Sequence, residues 1–220
     1  MTNSGKNVLV IGASGVFGKE ITKRFIDQGF SVYGTGRNTD AIPNEATKLK
    51  LDLEDKSSID LVVNYLLTEN IPLSGIVIAS GAVGFGKATE TNADDAQRLM
   101  QINHLAPANL ISRLKPLLTE ESFVIGISGV VSERTFPGMA AYTASKTAFA
   151  SFLASINTEW RRDKVQVLDA KPGHTETGLA SRALFGTAPA FPQGMSTEHV
   201  IDVIMASLAE GKGIVGSSEF

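Results

Sequence analysis

Apolar residues in this chain fall in short runs, separated by longer stretches where they recur every three or four positions. The runs Asn7–Ile11, Ser31–Thr35, Thr47–Leu51, Gly75–Ile78, Ser122–Ile127, Val165–Ala170 and Gly213–Val215 are mostly rich in Val, Ile and Leu without clean alternation. That is the pattern of strands covered by helices on both faces. Leu99, Ile102, Ala106, Leu110, Leu114 and Leu117 make one helical stripe. Pro107 lies within it and predicts a bend or a local irregularity. Met139–Trp160 carries Ala and Ser on several faces, which predicts a helix packed on more than one side. Strand and helix alternate throughout, so we expect one α/β domain over residues 1–220, a doubly wound parallel sheet of about seven strands with helices on both faces. One long stretch breaks the pattern. Lys171–Ser196 holds Pro172, Pro189, Pro192 and four glycines, and irregular segments of that length are commonly functional lids.

Composition narrows the function classes. The 220 residues are 43% hydrophobic with a formal net charge of −3, enough for one full core and no electrostatic footprint for nucleic acid. Arg161 and Arg162 are the one adjacent Arg pair, placed where a helix should end and its carbonyls welcome positive charge. The chain has no cysteine, which removes disulfides and thiolate metal sites and makes the cytoplasm the expected location. Met1–Asn7 is short and polar, and no run approaches the ~20 apolar residues of a membrane span. No His, Asp and Glu cluster has the spacing of metal ligands, so no metal is expected.

Chemistry enters at the first strand-to-helix turn, Gly12-Ala13-Ser14-Gly15-Val16-Phe17-Gly18. Glycines at these positions allow a tight turn, close backbone approach to a pyrophosphate and close helix–sheet packing, while the helix N-terminus offers free N–H groups to phosphates. The turn therefore predicts a dinucleotide site of the Rossmann type. The end of the second strand then discriminates between nicotinamide cofactors. An acid there binds a ribose 2′-hydroxyl, whereas Arg accommodates a 2′-phosphate. Here Gly36 takes the acidic position and Arg37 follows, which favours NADP(H) over NAD(H).

Tyr142 and Lys146 stand four apart, one turn from each other on one helix face. A free phenol titrates near ~10, so it is a poor base at neutral pH. A neighbouring ammonium favours the phenolate and brings the group towards working pH. Such a Tyr takes the proton of an alcohol or gives one to a carbonyl oxygen.

With these residues in order, the chain resembles the short-chain dehydrogenase/reductase family over roughly residues 6 to 216. The glycine loop, Asp52, Asn103, Tyr142 with Lys146, and Pro172-Gly173 followed by Thr177 carry the resemblance. It implies an oxidoreductase acting on carbonyl or alcohol substrates, with Tyr142 as acid and base. It implies that Asp52, with Leu53 beside it, binds adenine and that Lys146 also binds the nicotinamide ribose. Asn103 is expected to hold a water that links Lys146 to solvent. Pro172, Gly173, Thr175 and Thr177 are expected to border the nicotinamide. The family also implies a homodimer or homotetramer through the Ala93–Leu118 and Met139–Trp160 helices.

Three departures bear on mechanism. The 12/15/18 glycine spacing is that of extended family members, whose larger C-terminal substrate domain this length does not accommodate. After the fourth strand the family has Asn-Ala-Gly, and this chain has Ala79-Ser80-Gly81, where Ser80 and Gly81 are still expected to face the cofactor. The family's polarising serine stands thirteen residues before the tyrosine, which here is Gly129. Either the adjacent Ser128 is turned into the site by a local shift, or the polarising hydroxyl is absent; Ser132 and Thr175 are further hydroxyls within the motif region. A second reading follows from these departures: a cofactor-binding sensor or assembly subunit with little catalysis. Substrate is expected to meet Val83–Lys87, Val130–Met139 and Gly178–Gln193. The last of these carries Leu179, Leu184, Phe185, Pro189 and Phe191 with Arg182 as its single charge, so a fairly apolar substrate is expected. His174, a lone histidine, is expected to be structural.

Overall fold

Each apolar run becomes a strand of one parallel sheet. The computed structural model describes residues 6–220, so most of the polar N-terminal stretch lies outside the described residues. The strands are β1 (Asn7–Ile11), β2 (Ser31–Gly36), β3 (Thr47–Lys50), β4 (Leu73–Ile78), β5 (Leu118–Ile127), β6 (Gln166–Ala170) and β7 (Ile214–Val215). They run in the order β3-β2-β1-β4-β5-β6-β7, with every pairing parallel. The chain reverses direction across the sheet between β1 and β4, the place where open α/β sheets leave a crevice at their carboxyl edge.

The expected strand limits hold within a residue or two, except at β5. That strand starts at Leu118, because Leu118 pairs with Leu73 before the register shifts to Phe123 opposite Gly75. The polar Thr119, Glu120 and Glu121 lie exposed across this irregularity, so no apolar run marks it.

Alternate strand residues feed two cores. Leu9, Ile11, Ile76, Ile78, Val124 and Val167 point to one face. There they meet α2 (Lys56–Thr68), α4 (Ala106–Leu114) and α5 (Ala140–Glu159). Val8, Val10, Val77, Ile125, Ile127 and Leu168 point to the other, under α1 (Val16–Asp27) and α6 (Thr197–Ala209). Burial of whole Leu and Ile side chains contributes roughly 1.5–3 kcal/mol each, which is what holds both layers to the sheet.

The long apolar stripe is not one helix. It divides into α3 (Ala93–Met100), a wide π-type turn at Gln101–Leu105, and α4, with Pro107 in the first turn of α4. Proline has no N–H to give to the preceding turn, so the irregularity expected at Pro107 falls just before it. The side chains of Asp55, Asn92 and Ser196 cap α2, α3 and α6 by accepting backbone N–H bonds. No described helix is long and apolar enough to cross a membrane.

Candidate functional site

The glycine turn closes as the spacing requires. Gly12 has φ +88°, and a Cβ there would stand 2.8 Å from the Ser80 backbone nitrogen. Gly18 lies so close to the Gly12 carbonyl that no side chain fits. Ala13 N donates to the Thr35 carbonyl and Gly12 N to Thr35 Oγ1, tying the turn to β2. Gly15 caps α1 without a side-chain acceptor, so the first N–H groups of the helix face the crevice uncapped. Ser14, Val16 and Phe17 complete this rim. Ser80 sits directly behind Gly12, its Oγ buried with no hydrogen-bond partner. The cradle fits a dinucleotide's phosphates.

At the end of β2 the geometry explains the missing acid. A Cβ on Gly36 would come within 2.5 Å of Ser14 Oγ, so Ser14 would have to shift to admit an acidic side chain there. Arg37 is exposed beside the crevice. Asp52 is held by two local bonds: its N–H donates to Ser58 Oγ and its Oδ1 accepts from Glu54 N. Leu53 is buried, and its carbonyl accepts from Gln101 Nε2 of the π-type turn at 2.8 Å. That link, which has no signature in the apolar pattern, ties the expected adenine edge to the turn that carries Asn103.

Tyr142 and Lys146 occupy the first turns of α5, both fully inside the molecule. Tyr142 packs in an apolar cluster with Val83, Phe85, Leu99, Val131 and Met139. Burial pushes its phenol up to about 12, so the hydroxyl is protonated at neutral pH. Burial also draws Lys146 down to about 8, against the opposing charge of Asp169. Lys146 Nζ donates to the Ile127 carbonyl at 2.8 Å, and Gly81 leaves the space its ammonium fills. Asn103 is buried in the π-type turn, where Oδ1 accepts from Ala82 N and Nδ2 donates to the Ala82 carbonyl and to Ser145 Oγ. Ser145 donates in turn to the Tyr142 carbonyl. One network therefore binds the β4 loop, the π-type turn and α5 around the pair.

The chain leaves β5 at Ser128-Gly129. Both of their N–H groups donate to the single carbonyl of Ala170 before the turn at Val130–Ser132. Gly129 has φ +78°, a conformation that suits glycine, and so no side chain stands at the family serine position. Ser128 is completely buried, with its Oγ 3.0 Å from Ser132 Oγ; Ser132 Oγ lies 2.8 Å from the Gly129 carbonyl, to which it donates. Val130 N donates to the Pro172 carbonyl, which docks this turn on the Pro172-Gly173 loop. Thr175 Oγ1 donates to the Gly173 carbonyl, and Thr177 N to the Thr175 carbonyl. His174 stacks on Phe191 at 4.7 Å, in keeping with a structural role.

The irregular stretch closes over this end of the sheet. Leu184 N donates to the Val83 carbonyl and Phe85 N to the Phe185 carbonyl. Leu179, Ala183, Leu184 and Phe185 pack on the Tyr142 cluster and make its apolar wall. One residue was invisible to the pattern reading: Asp169, an acid in the middle of β6, 5% exposed and facing the same side as Lys146. A lone carboxylate inside an otherwise apolar run was the available signal.

A family model described as short chain dehydrogenase matches residues 6–184. The chain belongs to the short-chain dehydrogenase family. Among its relatives, "Dehydrogenase/reductase SDR family protein 7-like" of Anopheles gambiae is 29% identical over 86% of this chain, which spans only 65% of that protein. "Uncharacterized oxidoreductase DltE" of Bacillus subtilis (strain 168) is 26% identical over 96% of this chain and 87% of its own length. The crystal structure of BdcA in complex with NADPH superposes with a TM-score of 0.81 at 26% identity, covering 97% of this chain and 92% of that one. As a short-chain dehydrogenase the molecule has the expected Rossmann-type architecture, and it is an oxidoreductase by family.

Proposed function

We propose that this short-chain dehydrogenase is an NADP(H)-dependent oxidoreductase that interconverts a carbonyl and an alcohol on a fairly apolar small molecule. The observation that carries the reading is the buried Tyr142/Lys146 pair, set at the open edge of the glycine cradle and tied by Asn103 to the β4 loop. Bound along that cradle, the reduced cofactor supplies a hydride. Tyr142, kept protonated by burial, donates its phenolic proton to the carbonyl oxygen as negative charge develops on it. Lys146, as an ammonium, stabilises the phenolate that this leaves behind and binds the ribose. Asn103 fixes the loop against which both work and holds the water that links Lys146 to solvent. Ser128, beside Gly129 at the end of β5, is the hydroxyl that polarises the substrate oxygen.

The cofactor preference rests on Gly36 and Arg37. Ser14 fills the space of an acid at position 36, and the exposed guanidinium next to it suits a 2′-phosphate. The NADPH complex of BdcA supports the same choice. Asp52, Leu53, Ser80, Gly81, Pro172, Gly173, Thr175 and Thr177 complete the binding surface. The apolar wall from Phe85, Val131, Leu179 and Phe185 selects against charged substrates.

Replacing Tyr142 with Phe is expected to abolish hydride transfer while NADPH binding, followed by nicotinamide fluorescence, stays nearly unchanged. Turnover that survives in Tyr142→Phe overturns the assignment. The absent side chain at Gly129 favours one rival, a protein that binds cofactor without catalysis. NADPH oxidation against a panel of aldehydes, ketones and quinones separates the two: tight binding with no turnover would support the rival.

A further inference from the structure

Behind the Tyr142/Lys146 pair lies a second buried polar group that the reaction so far does not use. Asp169 stands on β6 opposite Gly126 of β5, its side chain on the α5 face of the sheet. Its carboxylate is inside the molecule, and Oδ1 has no hydrogen-bond partner. Ser128 lies beside it on β5, and the Ser128 hydroxyl favours the charged carboxylate. Lys171 approaches Oδ2 to 3.7 Å from the solvent side and in turn faces Glu133 at 3.9 Å. From α5 comes Lys146, whose ammonium feels the Asp169 charge, with Tyr142 one turn before it. The β7 residues next to Asp169, Gly213 to Val215, bring no charge. Lys146 Nζ donates to the Ile127 carbonyl and not to Asp169, so the carboxylate acts on it through space.

A buried acid in an apolar strand is costly: burial holds the Asp169 carboxyl above the usual carboxylate range and leaves Oδ1 unsatisfied. Around this one, a hydroxyl and two ammonium groups all favour the ionised form. Charge placed there acts on Lys171, 3.7 Å away, and on Lys146, the more deeply buried of the two on the same face of the sheet. We propose that Asp169 is a positioning residue, the buried counter-charge that keeps Lys146 an ammonium beside Tyr142. It touches neither substrate nor cofactor; it acts through Lys146, and it deepens the oxidoreductase reading given above.

The sign of its effect is fixed by electrostatics. Removing the negative charge makes the buried ammonium less favourable, so Lys146 loses its proton at lower pH. With uniformly ¹³Cε-labelled lysine, the Lys146 resonance, assigned by its loss in Lys146→Met, reports this titration directly. In Asp169→Asn the Lys146 titration is expected to fall by half a pH unit or more, with the pH–rate profile for kcat moving the same way and the Kd for NADPH within about twofold. Asp169→Ser, smaller and equally neutral, gives the same shift and serves if the amide variant does not fold. An unmoved Lys146 titration in a folded neutral variant overturns the proposal. A shifted titration with an unmoved rate profile overturns the role in the reaction. A native protein that turns over no carbonyl compound defeats the oxidoreductase reading instead, and the Lys146 titration still decides whether Asp169 holds its charge.

Discussion

Ser128 and Gly129 illustrate how a one-residue displacement decides chemistry. On a regular strand, alternate residues share a face, and Ser128 falls on the side of Val124 and Gly126, against α5. That alternation puts the Ser128 hydroxyl on the face of Lys146 and Asp169, while the strand ends at Gly129. Removing a donor that acts as charge develops on oxygen lowers kcat, by on the order of 10²–10³ where the donor is well placed. Ser128→Ala is therefore expected to reduce kcat more than Ser132→Ala does, with KM little changed in either. Steady-state kinetics on a simple ketone checks this, and equal losses would remove Ser128 from its role. The Tyr-Lys spacing and the glycine at 129 were legible in the sequence, because both lie within contiguous motifs. The way the chain leaves β5 was not, since it depends on which carbonyl of β6 two consecutive N–H groups share. Nor was Asp169, because its importance arises only when β5, β6 and α5 are brought together.

Among elements, the seven strands and the main helices could be read from apolar spacing, as each is a local pattern. The starts of β5 and of α4 could not. Leu118 joins the sheet through a long-range partner, Leu73, across polar residues, and the π-type turn at Gln101–Leu105 keeps the apolar stripe continuous while changing the hydrogen bonding beneath it. That turn matters because a widened helix places Asn103 against the Ala82 backbone on both its donor and acceptor sides. The end of β2 carries its own expectation. Its guanidinium is exposed and Gly36 leaves no acid to oppose phosphate, so the unmodified protein should bind NADPH more tightly than NADH. Arg37→Ala should remove most of the difference, which fluorescence titration of both cofactors would show. Equal affinities before mutation would count against the 2′-phosphate assignment.

At the scale of the whole molecule, the buried pair makes folding and pH interdependent. Folded Lys146 titrates at about 8 against an ordinary value of 10.5, so between these values the unfolded chain holds the extra proton. Stability from this residue therefore rises with pH through that window, and its deficit at neutral pH is on the order of 3 kcal/mol. Tyr142, at about 12 when folded, keeps its proton where the unfolded phenol loses one, and reverses the rise above about pH 10. Urea unfolding at about pH 7 and about pH 9.5 should show native stability gaining on that of Lys146→Met as pH rises. A constant gap between the two proteins would mean that Lys146 is not desolvated as the fold implies.

The lid over the apolar wall is fastened by its main chain. Leu184 and Phe185 bond to Val83 and Phe85 through backbone groups alone, and Met195 bridges His174 and Glu176 in the same way at the far end. Gly186 and Gly194 are sterically obligatory there, because the Phe85 and His174 carbonyls occupy the places of their side chains. Leu179, Leu184 and Phe185 add apolar packing, and Glu176 and Arg182 add side-chain hydrogen bonds, but the main-chain bonds themselves do not depend on which side chains line the pocket. A catalyst built like this can exchange the lining of its pocket residue by residue without unlatching the cover, so its substrate range is open to drift and to directed evolution while the chemistry beneath stays in place.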